Sequence, residues 1–305
     1  MKHLLSIESL DTDDIGQILS LSARMKKLRG ARNAPRPLAG QTWAMIFSKS
    51  STRTRVSFEV GIHELGGNGI FLNANDIQLG RGETVEDTAR VLCRYVHGIV
   101  IRTYGQKDIE TLASIGGIPV INALTDDEHP CQILSDLFTI QEKLGSFDEK
   151  KITFFGDGDC NVARSWIFAA ARLGFELRIA APKKFQPDSA VLKRAQKLSV
   201  PNASIECFTD VHEAARGADV LYTDVWVSMG KEAESQERLK LLAPYQVNRD
   251  AVKVARRDAL VMHCLPAYRD KEISSEVFDA NAETIFDQAE NRLHVQKAII
   301  SLVAS

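Results

Sequence analysis

The chain has 305 residues, 44% of them hydrophobic and 26% charged, with a formal net charge of −2. That length exceeds what one compact core usually holds and suits two domains. The near-neutral balance argues against a nucleic-acid binder, which carries a strong basic excess, so any cationic site is local.

The opening "MKHLLSIESLDTDDIGQILSLSARM" interrupts its apolar residues with charges every few positions, which is the pattern of neither a signal nor a transit peptide. Asp11 to Asp14 read as N-cap chemistry for a helix bearing Ile15, Ile18, Leu19 and Leu21. No apolar run approaches the roughly 20 residues needed to span a membrane. The five cysteines (93, 131, 160, 207 and 264) are odd in number and lack C-x-x-C spacing. Neither a disulfide framework nor a metal site is expected, and a reducing cytoplasm is the simplest location.

Short β-type runs then alternate with helical patterns, the signature of an α/β protein with mostly parallel sheets. "TWAMIFS" (42–48) predicts a buried strand, and "TRVSFEVGIHELGG" a helix with Phe58, Ile62 and Leu65 on one stripe, stopped by Gly66-Gly67. "NGIFLNA", "GIVIRTY" and "IPVINAL" read as strands, separated by helices over "VEDTARVLCRYV" and "IETLASIGG". A helix over "HPCQILSDLFTIQEKLG" places Ile133, Leu137, Ile140 and Leu144 on its apolar side. The polar "GSFDEKK" (145–151) is the expected hinge. Beyond it, strands are predicted at "KITFFGD", "ELRIAAP", "SIECFTD", "DVLYTDVW" and "ALVMHCLP". Helices are predicted at "NVARSWIFAAARLG", "SAVLKRAQKLS" and "VHEAARGA", and a last amphipathic one over "AENRLHVQKAIISLVAS".

In open parallel sheets, ligands bind outside the carboxyl ends of the strands. The polar clusters "SKSSTRTR", "RTYGQ", "DDEHPCQ", "GDGDCN", "DVWVSMGKE" and "HCLPAYRD" each follow an apolar run, so several loops are expected to face one cleft. Ser51, Thr52, Arg53 and Thr54 stand at the first turn of a helix, where free N–H groups, hydroxyls and a guanidinium suit an anion. A plain N-cap with a solvated basic face is the other reading. Arg102 ends an apolar strand in a cation, which is either a surface residue or a second contact to that anion. "HPCQ" puts proline at N1 of a helix, with His129 and Gln132 able to hydrogen-bond a carbonyl group or merely capping and exposed. "GDGDCN" lacks the third glycine of a dinucleotide fingerprint, and Asp157 and Asp159 would repel a pyrophosphate. It is read as a strand–helix turn presenting Asn161. Asp224 either faces a substrate ammonium or caps a turn. Cys264 is open to three readings: inert buried thiol, histidine-paired nucleophile or pocket wall.

Taken together and in this order, "STRTR..FE", "HPCQ", "SMG" and "HCLP" resemble the aspartate/ornithine carbamoyltransferase family, on its ornithine side, over essentially the whole chain. The resemblance implies two α/β domains, each a mostly parallel sheet flanked by helices, with the active site in the cleft between them. It implies a carbamoyl phosphate domain over 1–144, with the C-terminal helix of about 288–305 packing back on it, and an ornithine domain over 145–287. Carbamoyl phosphate would be held by Ser51, Thr52, Arg53, Thr54 and Arg102, with His129, Pro130, Cys131 and Gln132 at its carbamoyl end and Cys264, Leu265 and Arg292 closing around it. Gln78 would reach a neighbouring subunit's site in a homotrimer. Asn161, Asp224, Ser228 and Met229 would hold ornithine.

The implied chemistry is transfer of the carbamoyl group to the δ-amine of ornithine, giving citrulline and phosphate in arginine metabolism, with biosynthesis as the expected direction. Arg53, Arg102, His129, Gln132, Asp224 and Cys264 are the implied catalytic residues, with closure of the domains and of the "SMGKE" loop. The resemblance implies no metal or organic cofactor, and neither a nucleic acid nor a membrane as partner. Two positions depart from the family pattern: Asp270 stands where glycine is frequent, and Cys160 where a second asparagine is common.

Overall fold

The computed structural model describes residues 1–73, 82–227 and 235–305. It divides into two compact units, Met1–Phe138 with Asn291–Ser305, and Thr139–Glu290. The chain leaves the first unit within one helix and re-enters it within the last.

In the first unit, α1 (Thr12–Lys27) starts where the Asp11 side chain accepts a hydrogen bond from the Asp14 N–H. Acidic residues in its first turn and Arg24, Lys26 and Lys27 in its last complement the helix dipole. There follow β1 (Thr42–Phe47), α2 (Thr52–Glu64), β2 (Asn68–Asn73), α3 (Val85–Leu92), β3 (Gly98–Arg102), α4 (Gln106–Gly116), β4 (Val120–Leu124) and α5 (Pro130–Leu144). The four strands form a parallel sheet in the order β2-β1-β3-β4. Ala44, Ile46, Ile99, Ile101, Ile109, Leu112 and Val120 are among the residues of its core. Only glycine fits at position 98, since a Cβ there would lie 2.5 Å from the Trp43 ring.

The second unit comprises β5 (Lys151–Phe155), α6 (Asn161–Leu173), β6 (Glu176–Ala180), α7 (Ser189–Leu198), β7 (Ser204–Phe208), α8 (Val211–Ala215), β8 (Val220–Thr223), α9 (Ser235–Leu242), α10 (Arg249–Val254), β9 (Leu260–His263) and α11 (Ser275–Ala280). Its sheet is parallel in the order β7-β6-β5-β8-β9. Phe155, Leu221, Val247, Val261, Ile273 and Ile285 contribute to its core. The final helix, α12 (Ala282–Val303), begins seven residues before the predicted stretch, because Ile285 is already fully buried there. α9, α10 and α11 lie where the sequence pattern signals no element. The latter two are six residues each, too short to display a helical period.

Both strand orders reverse direction once, between β1 and β3 in the first sheet and between β5 and β8 in the second. Chain connections diverge to opposite sides at such a switch point and leave a crevice at the carboxyl ends of the two strands. The crevices are bordered by the segments after Phe47 and Arg102 in one unit, which are register partners, and after Phe155 and Thr223 in the other, which also are. Among the described residues, no helix is long and apolar enough to cross a membrane.

Candidate active site

At the switch point of the first unit, Ser51 is the N-cap of α2, with extended backbone and its Oγ accepting from the Thr54 N–H at 3.3 Å. The first turn of α2 contains no acidic residue, so the positive end of the helix is not compensated from within. Thr52 and Arg53 are exposed there and Thr54 is buried. Phe47, Ser48, Lys49, Ser51, Thr52 and Arg55 help to line a cavity of about 570 Å³.

The buried wall of this region comes from three other elements. Arg102 closes β3, and its carbonyl accepts the Ser48 N–H at 2.8 Å, tying the start of the β1–α2 loop to the end of β3. Arg292, from α12, donates through Nη2 to Thr54 Oγ1 at 2.8 Å. His129 precedes α5 and is 5% exposed. Burial, then the charges of Arg292 and Arg102, holds its imidazole well below the ordinary histidine range. A neutral His129 beside two guanidinium groups can hydrogen-bond an uncharged group while the cations serve an anion.

Gln132 is buried in the first turn of α5. Its Nε2 donates to Asp136 Oδ1 at 2.8 Å, the i,i+4 partner, which fixes the amide orientation. Oε1 is then a buried acceptor with no hydrogen-bond partner among the described residues. Such a group calls for a donor from elsewhere. The Cys131 thiol, in contrast, donates to the Asn122 carbonyl at 3.3 Å and is pushed up to about 12 by burial. It is a packed, unreactive side chain, and Cys131 and Pro130 can meet a ligand only through the start of the helix.

In the second unit the turn after β5 is shaped by Gly156, at φ 120°, against the Trp226 indole. Asp157 forms a buried ion pair with Arg238 of α9, which also donates to the Trp226 carbonyl at 2.8 Å. Asp159 pairs with Arg164 at 3.0 Å. The two aspartates are thus engaged within the protein. Cys160 is the N-cap of α6, a weak sulfur acceptor for the Ala163 N–H at 3.5 Å, and Asn161 is the first helical residue. Burial, with Asp157 and Asp224 nearby, holds the Cys160 thiol well above its ordinary range.

Asp224 follows β8. Its Oδ1 accepts the Cys264 thiol at 2.9 Å and the Val225 N–H at 2.7 Å. Burial raises its carboxyl above the usual range, opposed by the hydrogen bonds from Cys264 and Val225. Cys264 is therefore a donor to a carboxylate rather than a histidine-paired nucleophile, and it follows directly on β9. Leu265 adopts a left-handed backbone, φ 57°. Asp270 does too, at φ 64°, and its carboxylate accepts from Ser275 N and Oγ, both at 2.8 Å. Those two bonds hold the Asp270 carboxyl below its ordinary range. Aspartate tolerates this conformation better than most residues, which accounts for its standing at a glycine-like position.

The structure thus gathers Thr54, Arg102, His129, Gln132 and Arg292 in the first unit, and Asn161, Asp224, Cys264 and Leu265 in the second. Gln78, Ser228 and Met229 lie outside the described residues. Lys49 was not singled out from sequence: it is buried, paired with Asp126 and 4.3 Å above the Tyr104 ring. Its place inside the "SKSSTRTR" run was the available signal. For Arg238 the sequence carried none. Among the described residues, no group of three or more His, Cys, Asp or Glu side chains could hold a metal ion.

Residues 2–142 match the family model described as aspartate/ornithine carbamoyltransferase, carbamoyl-P binding domain. Residues 148–303 match the one described as aspartate/ornithine carbamoyltransferase, Asp/Orn binding domain. The chain is 54% identical over 306 residues to the ornithine carbamoyltransferase of Akkermansia muciniphila, covering 100% of this chain and 98% of that protein. Among solved structures it is similar to ornithine carbamoyltransferase from Pyrococcus furiosus, with TM-score 0.93 and 47% identity over 99% of this chain and 96% of that one. Anabolic ornithine carbamoyltransferase from Campylobacter jejuni also superposes with TM-score 0.93, at 39% identity over 99% of both chains.

Proposed function

Because the chain belongs to the aspartate/ornithine carbamoyltransferase family, we propose that it transfers the carbamoyl group of carbamoyl phosphate to the δ-amine of L-ornithine, giving L-citrulline and phosphate. The enzyme class is that of its relatives, a carbamoyl-group transferase. The anabolic naming of the Campylobacter jejuni protein supports arginine biosynthesis as the working direction. The observation that carries the reading is the set of Thr54, Arg102 and Arg292 around a neutral His129, with the Gln132 Oε1 acceptor in the first turn of the helix that follows it.

Carbamoyl phosphate pairs a dianionic phosphate with a small neutral amide, and the site divides in the same way. Ser51, Thr52, Arg53, Thr54, Arg102 and Arg292 take the phosphate at the start of α2. His129 donates to the carbamoyl oxygen, and Gln132 Oε1 accepts from the carbamoyl NH₂. The amine lone pair attacks the carbamoyl carbon, and the carbonyl oxygen becomes an oxyanion stabilised by Arg53, Thr54 and His129. The bond to the phosphate oxygen then breaks, and the departing phosphate leaves with that electron pair and takes the amine proton. Asp224 and Cys264 orient the δ-amine, while Asn161, Ser228 and Met229 hold the amino-acid end of ornithine. Cys264 remains a thiol throughout. No covalent intermediate is required, because the donor is already activated, and positioning supplies much of the rate. A homotrimer in the cytoplasm, with Gln78 completing a neighbouring chain's site, is part of the same reading.

The test is colorimetric citrulline formation from carbamoyl phosphate, with ornithine, putrescine, N-acetylornithine and aspartate compared. Ornithine is expected to be preferred, and Arg53→Ala to lower kcat/KM by about 10³-fold or more. Preference for another amine would overturn the reading of Asp224, and no ureido product from any amine would overturn carbamoyl transfer itself.

A further inference from the structure

The turn that carries Cys264 and Leu265 is braced from below by two side chains with no place in the chemistry above. His263 and Glu272 are buried, with side chains 0% and 1% exposed. His263 Nδ1 lies 2.9 Å from the Leu265 N–H. A backbone N–H can only donate, so Nδ1 is an acceptor and the ring proton sits on Nε2. That Nε2–H points at Glu272 Oε1, 3.1 Å away. The same oxygen accepts the Tyr268 N–H at 2.5 Å. One carboxylate oxygen therefore grips both ends of the segment 263–268, through a side chain at its start and a backbone amide at its end. The main chain of His263 is fixed separately, its N–H donating to Gln288 Oε1 at 2.9 Å. Glu272 Oε2 is buried without a hydrogen-bond partner among the described residues.

We infer that Glu272 and His263 are a positioning pair for the amine half of the site: Glu272 sets the His263 tautomer, His263 Nδ1 holds Leu265 in its left-handed conformation, and the turn so held presents the Cys264 thiol to Asp224. The inference rests on the reading of Asp224 and Cys264 as the pair that orients the δ-amine. A carboxylate is the fitting residue at 272 because it only accepts, so it admits one tautomer of the neutral ring. Removing it frees the proton to move to Nδ1, where it would meet the Leu265 N–H donor to donor. The left-handed Leu265 would then lose the bond that offsets its unfavourable conformation.

The test compares Glu272→Leu with Glu272→Gln in the full chain. Gln keeps an oxygen that can accept from both partners, whereas Leu fills the space without one. Glu272→Leu is expected to raise the ornithine KM about tenfold or more while the carbamoyl phosphate KM stays within about twofold, and Glu272→Gln to stay within about threefold of the parent in both. His263→Asn, whose Oδ1 can stand in for Nδ1, should keep more of the ornithine affinity than His263→Gln, which keeps only the donor toward Glu272.

Two readouts do not depend on turnover. ¹⁵N spectra of the ring should report the Nε2–H tautomer in the parent and its loss in Glu272→Leu. Modification by a negatively charged disulfide reagent, mapped to Cys264 by mass spectrometry, should accelerate in the same variant as the thiol leaves Asp224. Unchanged constants, tautomer and thiol reactivity in a folded Glu272→Leu would overturn the inference, as would equal rises of both KM values or equal damage by Glu272→Gln. If the parent makes no citrulline from ornithine, the catalytic reading falls, while the spectra and thiol mapping still decide whether the pair holds the turn.

Discussion

His129 illustrates how burial and neighbouring charge prepare a residue for its part. Its imidazole is depressed first by burial and then by Arg292 and Arg102. A histidine depressed in the fold binds its proton less readily there than in the unfolded chain. Its stabilising contribution is therefore complete above pH 6.5, the ordinary value, and is lost as the pH falls below it. In the proposed mechanism, the same depression keeps the ring neutral as the pH falls below the ordinary histidine value. Arg292→Met removes one of the two cationic causes, so the acid limb of the kcat–pH profile is expected to move to higher pH. Carbamoyl phosphate affinity is expected to fall about 10-fold to 100-fold through the lost guanidinium. An unmoved acid limb at saturating substrate would show that Arg292 does not act on His129. At this scale the residue types were legible and their states were not. "HPCQ" named His129 and Gln132, but only burial decides that the one is neutral, and only the bond to Asp136 decides which face of the Gln132 amide is open.

The elements that read most clearly were those with strong local signals. Apolar runs such as "TWAMIF" are buried almost throughout, and their lengths identify them as strands. The Asp11 and Ser51 caps sit at the starts of α1 and α2. Three helices beyond β8 gave no such signal, because α9 is largely polar and α10 and α11 are short. These are elements whose stability comes from tertiary contacts rather than from their own pattern. α9 is the clearest case: Arg238 anchors it to Asp157 in the turn after β5 and to the carbonyl of Trp226 after β8. Breaking one side of a buried pair leaves an uncompensated charge. Arg238→Met is therefore expected to cost about 3–5 kcal/mol, and the Asp157→Asn/Arg238→Met double variant to recover most of it. Chemical denaturation would measure both. A single variant as stable as the parent would mean that the pair does not hold α9.

For the whole molecule, one consequence of the proposed function reaches beyond a single chain. If Gln78 completes a neighbouring site in a trimer, Arg53→Ala and Gln78→Ala chains should complement one another. An equal mixture, dissociated and reassembled, should place intact contributions at about a quarter of its sites and regain activity in that proportion. A mixture no more active than its components would leave each chain with a site of its own. The sequence by itself determined the α/β class, the alternation of strands and helices, and the order of the polar clusters after the strands, because periodicity, capping and strand length are local properties. It also carried the family motifs, which are contiguous. Only the tertiary structure decided the strand orders β2-β1-β3-β4 and β7-β6-β5-β8-β9, and with them which polar clusters stand at a switch point. It alone joined Arg292 to Thr54 across 238 positions and Arg238 to Asp157 across 81. Contacts of that separation arise from the packing of whole elements, and no local pattern of residues encodes them.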